Sequence, residues 1–282
     1  MIKQGEWNDT KTTLCGSRRI AKYGNDDDGA WAQCAVLPSY TDLKNALVKA
    51  VTDESSGLNL NMWGTIVARD GTVCAVAFSG NTVGAQWLGS RVISAQKANT
   101  ANLFSLDSSS FSGTTNSGAA NGLALSTANL YSAVQPGGSL FGLQESPVDT
   151  GAAYGGNSGN YGTATDPMNG TKIGGINVFG GGLALYGVGK QLVGGVGVSG
   201  DTSCADHMIA WRVRHNLGLD HLSGVGGVSG DPARPDNIIF TISQRINSAS
   251  AEPASAQAGS GTPRALTRLI LQTIFLRSNK YC

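Results

Sequence analysis

The stretch NMWGTIVARDGTVCAVAFSG, residues 61–80, decides the fold. Two β-rich runs are joined there by Asp70 and Gly71, a dipeptide favoured in two-residue hairpin turns. A hairpin pairs its strands antiparallel, and with the helix and strand patterns around it the chain reads as an α+β domain around an antiparallel sheet. Upstream, SYTDLKNALVKAVTDESSG (39–57) predicts a helix: Ser39 or Thr41 is the N-cap, Leu43, Ala46, Leu47, Ala50 and Val51 form one apolar stripe, and Gly57 is the stop. Downstream, SRVISAQKANTANLFSL (90–106) predicts a second helix starting after Gly89 with Ser90 as its cap, and LSTANLYSAVQ (125–135) a shorter one capped by Ser126.

Further on, INVFGGGLALYGVGKQLVGGVGVSG (176–200) returns to strand chemistry. One run ends at Gly180 to Gly182, a second covers 183–186, a turn spans Gly187 to Lys190, and a third run covers Leu192 to Val198. Asp201 or Thr202 then caps a helix in which Ala205, Met208, Ile209, Arg212 and Val213 recur at three and four. NIIFTI (237–242) supplies a last strand. The expectation is an α+β domain over 38–245, interrupted by an irregular Gly-rich insertion at 136–175. Residues 1–37 read as an N-terminal extension, and 246–282 as a flexible linker with a basic amphipathic tail.

Lys and Arg total 20 against 19 Asp and Glu, so no long-range field draws nucleic acid or an anionic membrane. No run reaches the roughly 18 apolar residues of a membrane span, and the start lacks a signal's apolar core. The expectation is a cytoplasmic protein, with export open if a segment precedes Met1. Forty glycines imply many tight turns and close backbone approaches. Five cysteines at 15, 34, 74, 204 and 282 form no metal pattern, and Cys74 and Cys204 read as buried thiols.

Three histidines are the only imidazoles. His207 and His215 lie eight apart on one helix, about 12 Å at 1.5 Å per residue, too far to share a metal. The turn Ser199, Gly200, Asp201 and Thr202 enters a helix whose N–H groups suit a carboxylate or a heme propionate, unless Asp201 or Thr202 caps it. Lys97, mid-helix among small residues, either snorkels to water or reaches into a pocket.

Four stretches in order resemble the GlcG/HbpS family of heme-binding-like proteins, also known as DUF336 and as the C-terminal domain of PduO-type proteins. They are LKNALVKAVTDESSGLNLNMWGTIVARDGTVCAVAFSG (43–80), SRVISAQKANTANLFS (90–105), FGGGLALYGVGKQLVGGVGVSG (179–200) and CADHMIA (204–210). The resemblance implies a profilin-like antiparallel sheet flanked by helices, assembly into a homo-oligomer, and a small-molecule ligand such as heme. On the matched motifs Lys97, Thr100, Gly181, Gly182, Ser199 and Asp206 border the expected pocket, and the 199–202 turn adds Gly200 and Asp201. The family's GG-x-P reads GGGLAL here, and the opening helix holds no histidine, which leaves His207, Tyr40 or Lys97 to meet a heme iron. Three functions follow as expectations. The first is a heme or small-ligand binding protein without a classical catalytic constellation. The second is an enzyme on a small organic acid with Lys97 or His207 as base, and the third a structural module joined through a glycine-rich sheet edge.

Overall fold

The computed structural model describes residues 33–110 and 121–239. Helix α1 spans Tyr40–Thr52, and the hairpin is β1, Trp63–Ala68, and β2, Val73–Phe78. Helix α2 is Gly89–Phe104, followed by the short pair β3, Leu106–Asp107, and β4, Gly122–Leu123. Two short helices, α3 (Thr127–Leu130) and α4 (Thr150–Tyr154), precede β5 (Gly182–Tyr186), β6 (Leu192–Ser199) and α5 (Ser203–Asn216). The main sheet runs β2-β1-β6-β5, and every pairing is antiparallel. The architecture is α+β, an antiparallel sheet flanked by helices on both faces.

Strand β6 explains the layering. Its alternate residues Val196 and Val198 point to one face, where they pack with Leu43 and Leu47 of α1 and Ile209 and Val213 of α5. Gly195 and Gly197 point to the other, where α2 lies so close that a Cβ on Gly197 would stand 2.5 Å from Ala98 N. The glycines of 194–200 therefore let a helix backbone rest directly on the strand. Small side chains on α2, among them Ser94, Ala95, Ala98 and Ala101, serve the same contact.

Both sheet edges are covered. On β2, Val73 exchanges backbone hydrogen bonds with Gly170 and Thr171 of the insertion, both 2.8 Å. On β5, Tyr186 N donates to Leu219 O at 2.9 Å and Tyr186 O accepts from His221 N at 3.2 Å. Among the described residues the Gly-rich strand β6 is internal to the sheet, between β1 and β5. The 136–175 insertion is pinned to α2: buried Arg91 pairs with Asp166 through Nε at 2.9 Å, donates to Ala153 O at 2.8 Å, and lies 3.7 Å from the centre of the Tyr161 ring. Arg214 of α5 pairs in the same way with Asp236, Nη2 to Oδ1 at 3.1 Å.

Several local expectations need correction. Ser39 caps α1 with a capping box to Asp42, but α1 ends at Thr52, and Gly57 only turns the chain afterwards. The hairpin loop is longer than two residues: Ala68 N bonds Thr72 O, the Asp70 carboxylate accepts from Thr72, and the register shifts between Ile66 and Val67. Helix α2 begins at Gly89 with Leu88 as an N-cap that makes no side-chain bond, so Ser90 is not its cap. Ser126 caps α3. The run 176–179 is no strand; Ile176 and Val178 pack instead against Leu130 and Val134. Residues 237–239 form no strand, and 240–242 lie outside the described residues, as do the linker and the basic tail.

The cysteine reading is overturned. Cys34 and Cys74 form a disulfide with Cα atoms 5.3 Å apart, and Cys204 is also disulfide-bonded. Cys34 looked like part of a loose arm, yet it packs on the α1–α5 core beside buried Leu37, which brings it opposite β2.

Candidate functional site

The site forms where β6 ends and α5 begins. Thr202 caps α5 by accepting from Ala205 N at 3.3 Å. Asp206, one turn in, reaches back so that its Oδ1 accepts from Gly200 N (3.1 Å) and Asp201 N (2.8 Å). Its Oδ2 accepts from Lys97 Nζ at 2.7 Å, and Lys97 also donates to Val198 O at 3.1 Å. Lys97 is 2% exposed and Asp206 3%. Burial pulls the Lys97 amine down and pushes the Asp206 carboxyl up, and each partner counteracts the other's shift. The close α2–β6 approach places the lysine here, and Gly181 leaves it room: a Cβ there would come within 3.1 Å of Nζ.

Above this floor opens a crevice of about 350 Å³, lined by Trp87, Ile93 and Phe179 as well as by the polar groups. Trp87 is 63% exposed and Phe179 55%, so both rings stand at the mouth. Ser90 and Ser199 line it from within, at 4% and 5% exposure. The wall is braced by Gln86, whose amide donates to Gly200 O at 2.7 Å. A larger hollow of about 510 Å³ between α1 and the end of α5 holds no buried ionisable group.

Of the residues expected from sequence, the fold brings Lys97, Ser199, Gly200, Asp201 and Asp206 together in the crevice lining. Thr100, Gly181 and Gly182 lie behind it. Thr100 Oγ1 donates to Gln96 O and accepts from Asn177 N, and Gly182 N donates to Thr127 Oγ1. Lys97 does not snorkel; it is a buried ion-pair partner. Within the 199–202 turn Asp206 takes the Gly200 and Asp201 amides, and Asp201 takes those of Thr202, Leu58 and Leu60. Tyr40 is elsewhere, donating its hydroxyl to Gly162 O at 3.1 Å.

His207 does not line the crevice. Its ring is 1% exposed beneath Gly180, neither nitrogen has a hydrogen-bond partner, and burial lowers its pKa to about 4. Trp87, Ser90, Ile93, Phe179 and Ser203 belong to the lining without a sequence pattern that marks them; Trp87, an aromatic just ahead of a helix, is the nearest thing to a signal. Among the described residues no group of three or more His, Cys, Asp or Glu is placed to hold a metal, and no helix is long and apolar enough to cross a membrane.

Sheet, helices and crevice define the class: an α+β protein with a small polar-floored crevice at the end of its central Gly-rich strand. The chain belongs to the HbpS-like family, described as haem degrading protein HbpS-like, whose family model matches residues 41–214. No curated protein matches. Among solved structures it is similar to the PduOC:heme complex, at 22% identity over 65% of this chain and 97% of that one, TM-score 0.41. It is also similar to Klebsiella pneumoniae protein ORFY, a DUF336 protein, at 23% identity over 73% and 97%, TM-score 0.38.

Proposed function

We propose that this protein binds a small molecule in the Lys97–Asp206 crevice, and that heme, the ligand class attached to its family, is the first to test. One observation carries the reading: a fully buried ion pair forms the floor of an accessible crevice whose mouth holds two exposed aromatic rings, Trp87 and Phe179. Such a floor with few polar groups and flat apolar walls suits a ring system. The residues present fit the ring of a heme and not its iron. Lys97 Nζ is engaged by Asp206 and Val198 O, and no imidazole lines the crevice. The Gly200, Asp201 and Thr202 amides are taken by the protein's own carboxylates and offer a propionate nothing.

His207 supports a second reading, because both of its nitrogens are buried and unpartnered. Movement of Phe179 and Gly180 would open it to an iron. Titration of the protein with hemin, followed by absorbance, separates the two. Ring-held binding weakens roughly three- to tenfold in Trp87→Ala and is unchanged in His207→Ala; loss in His207→Ala assigns the iron to that imidazole. No saturable binding removes heme from both readings.

The small-acid enzyme reading loses the Gly200, Asp201 and Thr202 amides as anion donors, because the protein's own carboxylates hold them. The disulfides support an oxidising compartment in place of the cytoplasm expected from sequence. A homo-oligomer would assemble through side-chain surface and not through a sheet edge, and light scattering measures it.

A further inference from the structure

We infer that the part of a ligand that enters the crevice is uncharged: a flat apolar body carrying a carbonyl or hydroxyl oxygen, with any carboxylate kept outside. The inference rests on the crevice being the ligand site and specifies what that site takes.

Three buried polar groups remain open toward the crevice. A lysine ammonium has three hydrogens to donate, and Lys97 uses two, on Asp206 Oδ2 and Val198 O. The hydroxyls of Ser90 and Ser199 make no hydrogen bond within the described residues, although both residues are more than nine-tenths buried and line the crevice. Neither hydroxyl is among the buried polar atoms sealed from solvent without a partner, so each still faces the open space. Facing open space, these groups can exchange water for a ligand's polar atom without breaking any bond within the protein.

The charge balance sets the class of that ligand. Among the described residues, Lys97, Asp201 and Asp206 are the ionisable side chains of the lining. The Lys97 charge is cancelled by Asp206, and the Asp201 carboxylate, held by the Leu58, Leu60 and Thr202 amides, adds no positive charge to the lining. An entering carboxylate would shed water without gaining a counter-charge and would stand near Asp201. A neutral carbonyl or hydroxyl oxygen takes the third Lys97 hydrogen and a serine hydroxyl with no such penalty, while Trp87, Ile93 and Phe179 hold the apolar body.

An isosteric pair tests this: 2-naphthamide, neutral, against 2-naphthoate, anionic, titrated into the full chain at neutral pH by calorimetry, with hemin in parallel. The amide is expected to bind about tenfold or more tightly than the carboxylate. Ser90→Ala and Ser199→Ala each weaken the amide roughly three- to tenfold with the melting temperature unchanged, because no protein partner is lost. Naphthoate binding as tightly as the amide overturns the charge selection and leaves the crevice as the ligand site. Hemin binding without amide binding also overturns the selection alone. If neither amide nor hemin binds, the site reading falls with it. Full amide affinity in both serine variants overturns the assignment of the polar contacts.

Discussion

Lys97 Nζ and Asp206 Oδ2 meet at 2.7 Å across 109 residues of sequence, tying the middle of α2 to the first turn of α5 beneath the crevice. Both side chains are almost wholly buried, so breaking the pair strands a charge in a poorly solvated place. Lys97→Met is therefore expected to lower unfolding free energy by about 3–5 kcal/mol. The double variant Lys97→Met, Asp206→Asn recovers part of that loss, because the amide oxygen still accepts from Gly200 and Asp201 without carrying a charge. Urea denaturation of the three proteins checks the order.

His207 makes stability depend on acid. Its folded pKa is lowered from 6.5 to about 4, so in this window the unfolded chain binds more protons than the folded one. Stability is fully present above the unfolded value, falls as pH drops from about 6.5 to about 4, and levels off below. The size is about 3 kcal/mol for this group alone. Denaturation midpoints across that range are expected to drop less steeply in His207→Phe than in the native sequence.

Gly197 tests the helix-on-strand contact. A methyl group there would overlap Ser94 O and stand 2.5 Å from Ala98 N, both of them backbone atoms of α2 that cannot rotate away. Gly197→Ala is expected to destabilise by about 3 kcal/mol or to prevent folding. Gly84→Ala, where no atom lies within 4 Å, is the control and should leave the melting temperature within a degree or so.

The Cys34–Cys74 disulfide closes 40 residues of chain that include α1 and β1. Chain-entropy arguments give a bridge of that span about 4 kcal/mol. The double variant Cys34→Ser, Cys74→Ala is expected to unfold at correspondingly lower urea, and mass spectrometry of native protein treated with a thiol-alkylating reagent should find neither cysteine alkylated until the protein is reduced.

Arg91 fixes the insertion, so Arg91→Met should free residues 136–175 for proteolysis while the sheet and α1 stay protected. Limited digestion with mapped cut sites reads this directly. Equal resistance in both proteins would mean that the Met168 and Ile173 contacts hold the insertion without the ion pair.

Local chemistry was legible where it acts between near neighbours. Asp70 and Gly71 announced the hairpin, Ser39 and Ser126 announced their caps, and the Gly-Val alternation of 194–198 announced a strand. The class of fold follows from these, since an antiparallel hairpin and three amphipathic or small-faced helices have few ways to bury their apolar sides. The alternation did not say which layer each face meets. That Val196 and Val198 face α1 and α5 while Gly197 faces α2 is a fact of packing.

The site was legible only in part, and for the same reason. Lys97 and Asp206 each sit on recognisable helices, but their pairing depends on two helices being held against one strand. Trp87, Ser90 and Phe179 carry no pattern because lining a crevice demands a position in space and no particular spacing along the chain. Cys34 misled for a similar reason: a polar stretch of sequence reads as loose, while a covalent bond to a strand 40 residues away does not register in local composition. Sequence alone determined the hairpin, the strands β5 and β6 and the helices α1, α2, α3 and α5, which arise from backbone geometry and nearest-neighbour burial, but not the strand expected at 176–179 or the start of one expected at 237–239. The crevice, its cancelled charge and its open hydroxyls were decided by tertiary structure, because they come from contacts whose partners the chain order does not bring near.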